Sequence, residues 1–138
     1  MKISLVGYKD NPVSIFGELG KALAKKISGL ELSQRFVPEP EDLPMVAAEA
    51  AEESDFVLVF AMLDDEKLAK FIKQKLIDVE IATKTRMLKY VVPDDFSGVN
   101  EENYFDKKEE LVKEIAGLII SILFDEESFQ PKDKDFSL

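Results

Sequence analysis

The sequence predicts an α/β domain: a three-layer αβα sandwich around a four-stranded parallel sheet. Three observations carry that reading. The runs Lys2 to Gly7 and Asp55 to Met62 are largely apolar and β-branched, as parallel strands covered on both faces must be. Between and after them, apolar residues return every three or four positions, which marks one-sided helices. The two kinds of segment alternate, and right-handed crossovers turn that alternation into a parallel sheet between helix layers. A chain of 138 residues with 46% apolar content suits one domain with a real core.

The elements follow in order. Lys2 to Gly7 is the first strand, ended by a glycine, and Tyr8 to Pro12 is a loop. From Pro12 to Ser28, Val13, Phe16, Leu19, Leu23 and Ile27 fall on one helical face, with Gly29 as the stop. Leu30 to Val37 is a second strand whose mixed polarity places it at a sheet edge. Alanines at 47, 48, 50 and 51 favour a helix from Leu43 to about Glu53 that packs close to the sheet. Asp55 to Met62 is the least ambiguous strand. Asp64 is then expected to cap a helix from Asp65 to about Thr85, and Met87 to Val92 is the fourth strand, ended by Pro93. Asp94 to Phe105 reads as a loop, and Asp106 as the cap of a last helix reaching Phe124. No internal repeat or domain linker interrupts residues 1–124. The acidic, proline-interrupted stretch Asp125 to Leu138 is expected to be a mobile tail unless Phe129 or Phe136 docks on a neighbour.

The connection Phe36 to Pro44 stands out. Its prolines at 38, 40 and 44 fix their own φ and push the preceding residues out of the helical region, so the turn is stiff and extended. Asp42 is a candidate N-cap, and Pro44 sits in the first turn, where a missing N–H costs little. A helix start held this way offers free amides and a positive dipole end to an oxygen-rich ligand. On local grounds alone the same turn is also a plain rigid connection.

Composition narrows the chemistry. The net charge of −10 argues against nucleic acid or an anionic membrane as the main partner. With no cysteine and no histidine, the chain has no thiol nucleophile, no thiolate or imidazole metal ligand, no disulfide and no Ser-His or Cys-His pair. Acid–base chemistry would fall to Asp, Glu, Lys, Tyr, the backbone, the substrate or water. The apolar run at the N-terminus is too short for a signal peptide or a membrane span, so an intracellular, soluble and cytoplasmic protein is expected.

In an open parallel sheet, ligands sit beyond the carboxyl ends of the strands. That rule points to Tyr8 to Asn11, Val37 to Leu43, Ala61 to Asp65 and Pro93 to Phe96. Asp64 and Asp65, with Asp94 and Asp95, can hold Mg²⁺ through water; the same residues serve equally as helix caps and solvated loop positions. No Gly-x-Gly-x-x-Gly or Gly-Lys-Ser/Thr loop follows the first strand, which speaks against dinucleotide or triphosphate binding by the usual loop. A response-regulator reading needs a fifth strand and an aspartate ending the third, where Ala61-Met62 stands. In the last helix, Leu111, Val112, Ile115, Leu118, Ile119, Ile120, Ile122, Leu123 and Phe124 cover more than one stripe. A second subunit or the tail would have to cover the surplus.

Val37-Pro38, then Asp42-Leu43-Pro44, an alanine-containing helix and a strand from Asp55 to Met62 resemble the lumazine synthase superfamily. The pattern is most similar to the archaeal-type riboflavin synthases, with a Val-Pro-Gly-x-x-Asp-Leu-Pro turn and a methionine-ended strand. The resemblance covers the element order to about Phe124, and matches residue by residue in the two central segments. It implies a flavodoxin-like subunit in a homo-oligomer, a pentamer, with sites between neighbours. The implied reaction is the dismutation of two 6,7-dimethyl-8-ribityllumazine molecules to riboflavin and a ribitylamino-pyrimidinedione, Mg²⁺-assisted and without a redox cofactor. By position it implies Val37, Pro38, Asp42 and Leu43 along the ribityl chain and ring and Met62 beside the ring, with Tyr8 as an aromatic surface. Glu39 replaces the family glycine and brings a carboxylate into the site. Lys67 to Lys73 carries no imidazole where a histidine is expected. Lumazine synthase activity fits less well, because it implies a histidine and a phosphate loop where Leu63-Asp64-Asp65 would repel phosphate. A flavin- or lumazine-binding homologue without turnover, or an assembly subunit, is the alternative.

Overall fold

The computed structural model describes residues 1–124. The tail expected from Asp125 onward therefore lies outside the described residues. The elements are β1 (Lys2–Tyr8), α1 (Phe16–Lys26), β2 (Glu31–Val37), a short 3₁₀ turn (Pro40–Asp42), α2 (Leu43–Glu52), β3 (Phe56–Met62), α3 (Glu66–Thr83), β4 (Arg86–Val92) and α4 (Glu101–Phe124). The strands form one parallel sheet in the order β2-β1-β3-β4. Helices α1 and α4 cover one face, α2 and α3 the other. This is the predicted three-layer αβα, flavodoxin-like arrangement, with β2 at an edge as its polarity required.

Strand alternation builds the two cores. On β3, Phe56, Leu58, Phe60 and Met62 point into the α1/α4 layer, while Val57, Val59 and Ala61 point into the α2/α3 layer. Every residue of β3 is buried, which is why its sequence is a continuous apolar run. The alanines of α2 do what small residues allow: Ala47, Ala50 and Ala51 are buried against the sheet. No described helix is long and apolar enough to cross a membrane.

Several expected boundaries move. Helix α1 starts at Phe16, not Pro12, because Val13 and Ile15 drop from the preceding loop into the core. Asp42 makes no side-chain cap. The proline-led 3₁₀ turn has already put Asp42 in a helical conformation, and its N–H is taken by the Glu39 carbonyl at 3.0 Å. A capping residue needs extended backbone, and Asp42 lacks it. Asp65, not Asp64, caps α3, accepting from the Leu68 N–H at 3.1 Å. Asn100, not Asp106, caps α4, with the Asn103 N–H at 3.1 Å. Asp106 lies inside that helix.

The surplus apolar surface of α4 is divided. Leu111, Val112, Ile115 and Ile119 are buried, and Ile120, Ile122 and Leu123 pack partly against the same core. Leu118 and Phe124 remain exposed.

Candidate functional site

The carboxyl ends of the four strands make one rim, and sheet order decides how it divides. The chain runs from β1 outward to β2 on one side and returns past β1 to β3 on the other, so the crevice between β1 and β3 is the topological switch point. In this protein Asn11 closes it. Beyond Gly7 and Phe60 the β1–β3 pairing ends, because the chain turns at Lys9-Asp10. The Asn11 side chain then continues the ladder, donating to the Phe60 carbonyl at 3.0 Å and accepting from the Met62 N–H at 2.9 Å. Two strand groups that would otherwise face the crevice unpaired are satisfied by one amide.

Closing that crevice leaves the β1–β2 end as the open part of the rim. Tyr8 pairs in register with Val37, and the Lys9 N–H donates to the Val37 carbonyl at 2.9 Å. Beside them lies a small hollow of about 60 Å³, lined by Tyr8, Lys9, Asn11, Phe16, Phe36 and Phe60 among others. Its wall is aromatic. Phe36 stacks on Phe16 with ring centroids 5.4 Å apart and is still 55% exposed, so one face of a large apolar ring is free. Phe60 meets Phe16 edge-on at 6.4 Å. Gly7 makes room for this stack, since a Cβ there would come within 3.0 Å of the Phe16 ring.

The rim's charge is negative. The Tyr8 phenol is held above its ordinary pKa, first by partial burial and then by the carboxylates of Asp10, Glu39 and Glu41. Tyr8 is therefore a neutral phenol at physiological pH, able both to donate and to accept. Glu39 has ordinary extended backbone at φ −119° and ψ 132°, a conformation that needs no glycine, and its side chain is exposed.

The sequence-expected residues separate into groups. Tyr8, Val37, Pro38 and Glu39 come together at the β1–β2 end. Asp42 and Leu43 follow at the start of α2, where Leu43 and Val37 are fully or almost fully buried in the α2/α3 core. Met62 ends β3, with β1 between it and β2, and its side chain packs in the α1/α4 core on the opposite face of the sheet. Its backbone N–H, held by Asn11, is what Met62 brings to the rim.

Asp64 and Asp65 have separate duties. Asp65 caps α3, and Asp64 accepts from the Asp94 N–H at 3.2 Å, tying the β3 and β4 loops together. Asp94 in turn accepts from the Ser97 hydroxyl, the Ser97 N–H at 2.9 Å and the Phe96 N–H at 2.8 Å. These bonds, the Ser97 hydroxyl foremost, pull its pKa below the usual carboxylate value. Among the described residues no three acidic side chains are grouped to hold a metal ion. Asp64 and Asp65 are both exposed, which leaves contact with Mg²⁺ through water open to them.

Sequence reasoning put Asn11 and Phe36 in stretches it singled out but gave neither side chain a role, and it did not bring Phe16 or Phe60 to the rim. The Asn-Pro pair after a strand signals a turn, but only the paired strand ends show why an amide is needed there. No family model matches this chain, and no curated protein is detectably similar to it.

Proposed function

We propose that this chain is a riboflavin-synthase-like subunit. Its aromatic rim would bind a flat, ribityl-bearing pteridine, and neighbouring subunits, five on the family pattern, would complete the site. The observation that carries the reading is the half-exposed ring of Phe36, braced from behind by Phe16 at the edge of the rim hollow. A braced aromatic face suits a planar heterocycle.

The reaction follows from the same need. In the dismutation, one 6,7-dimethyl-8-ribityllumazine gives a four-carbon unit to a second. The riboflavin and the ribitylamino-pyrimidinedione together hold every atom of the two substrates, so no redox cofactor enters. Holding two flat rings in register would supply much of the rate. Acidic C–H groups on the substrate lower the demand for a strong base, which suits a chain without histidine. Mg²⁺ would act through water near Asp64 and Asp65, and the cytoplasm is the expected location.

One observation favours a second reading, a binding or assembly homologue without turnover. The rim carries the carboxylates of Asp10, Glu39 and Glu41 around Tyr8, and Glu39 stands where the resemblance implies a glycine that would let the backbone approach the ligand closely. Incubating the pure protein with the ribityllumazine, with and without Mg²⁺, separates the two. Riboflavin fluorescence that grows with time supports the enzyme. A ligand-induced melting shift without riboflavin, abolished by Phe36→Ala, supports the binder. No turnover and no shift at millimolar ligand would end both.

A further inference from the structure

Between α2 and α3 runs an open, mostly apolar groove of about 560 Å³. Met45, Ala48, Phe71, Val79 and Ala82 give it its apolar lining, and Met45 and Phe71 stand 61% and 53% exposed. From Ala82 to Phe71 the groove follows α3 for eleven residues, about 16 Å at the helical rise. Its charged lining carries both signs, Lys75 with Glu41 and Asp78, so charge does not choose what lies there. Apolar surface of this kind calls for cover.

The path of the chain selects the occupant. Helix α4 lies in the opposite layer, yet its last turn comes back to the groove's near end. The Arg86 guanidinium donates to the Ile122 carbonyl at 3.0 Å, and Arg86 stands four residues after Ala82. Asp125 to Leu138 follow directly, with phenylalanines at 129 and 136. Phe129 is five residues past Phe124, a reach of up to about 17 Å, which suffices to round the end of a helix about 10 Å across. Phe136 follows seven residues later, up to about 23 Å further, and so spans the groove with slack. The hollow at Phe105 is a poorer seat: it holds about 320 Å³, is lined by Glu18, Lys108 and Glu109, and begins about 28 Å back along α4.

We infer that the groove between α2 and α3 is the seat of the chain's own segment Phe129 to Phe136. Phe129 covers Val79 and Ala82, and Phe136 lies between Met45 and Phe71. The segment thereby clamps α2 to α3 from outside. Nothing in this depends on the ligand reading, so the ribityllumazine assay and the test below fail separately.

The full chain has no cysteine, so two introduced thiols report one proximity. Ser137→Cys with Ala48→Cys sets one thiol beside Phe136 and one in the groove. Ser137→Cys with Gly117→Cys is the competitor. Gly117 is exposed, a Cβ there meets nothing, and it lies about 10 Å along α4 from Phe124, so an unseated segment reaches it at least as readily. The readout is the effective concentration of one thiol at the other, from disulfide formation in a glutathione redox buffer at low protein concentration. It should be at least about tenfold higher for the groove pair, and Phe129→Ser with Phe136→Ser should erase the difference. Circular dichroism and the urea midpoint of each reduced chain mark it as folded. Should Ala48→Cys fail there, Gln130→Cys with Ala82→Cys reads the near end of the same seat. Equal values in the two pairs, a preference that survives loss of both phenylalanines, or disulfides formed between chains in place of within one would overturn the inference.

Discussion

Replacing Asn11 by alanine should open the crevice between β1 and β3 and cost the fold a substantial part of its stability. The side chain makes two hydrogen bonds, to the Phe60 carbonyl at 3.0 Å and from the Met62 N–H at 2.9 Å, and both residues are buried. Each strand group left unpaired costs about 1–3 kcal/mol, and water reaching through the opened rim recovers part of it. A net loss of about 3 kcal/mol is the working figure. With an m of about 1.5 kcal/mol/M, the urea midpoint should fall by about 2 M. Asn11→Asp separates lost bonding from lost volume. It keeps the shape and the acceptor for Met62, but sets an oxygen against the Phe60 carbonyl, so at least about 1 kcal/mol of the loss should persist at pH 7. Equilibrium unfolding followed by far-ultraviolet circular dichroism measures both. A midpoint change worth less than about 0.5 kcal/mol in Asn11→Ala would refute the view that this amide completes the ladder.

Three further outcomes are expected. Gly7→Ala places a Cβ within 3.0 Å of the Phe16 ring, which is already stacked between neighbours, so the chain should lose about 1–3 kcal/mol in the same unfolding experiment. Asp65→Ala removes the α3 cap and should cost about 1 kcal/mol, whereas Asp106→Ala, inside α4, should cost little. Asp94 has a folded-state pKa below its unfolded value of about 3.9, so its contribution is present above that pH and lost as pH falls through the folded pKa. Urea midpoints taken from pH 6 downward should therefore converge for wild type and Asp94→Ala at the acid end, and a constant gap would contradict the assignment.

The fold was legible because its signals are local and repeated. Phe56 to Met62 must be a strand buried on both faces, whatever its neighbours do, and the alanines of α2 must lie close to something. The caps were less legible for a physical reason. Asp64 and Asp65 stand side by side, and only the path of the loop, fixed by the bond between Asp64 and the Asp94 N–H, decides which is free to turn back onto α3. Asp42 failed as a cap because prolines at 40 and 44 wound the chain one turn early. Met62 was hardest to place. Its face depends on register: Gly7 opposes Phe60 while Tyr8 opposes Val37, which sends Met62 and Val37 to opposite sides of the sheet. No spacing within one segment carries that information, since a one-residue slip would reverse it.

Register also constrains what the rim can hold. The switch-point rule sends ligands to the crevice between β1 and β3, but there the Asn11 amide already occupies the groups a ligand would use. On the ligand reading, a planar ligand is displaced toward β1 and β2, where the Phe36 ring offers a surface and the hollow beside it is only about 60 Å³. Sites that bury most of a molecule of pteridine size run to roughly 300–1,000 Å³. The described residues therefore supply a floor for the ring and not its roof. On the ligand reading, the roof comes from outside residues 1–124, and on the family pattern a neighbouring subunit brings it. On that reading, cover from beyond residues 1–124 is a condition of binding, and the exposed face of Phe36 is what such a site shows without it.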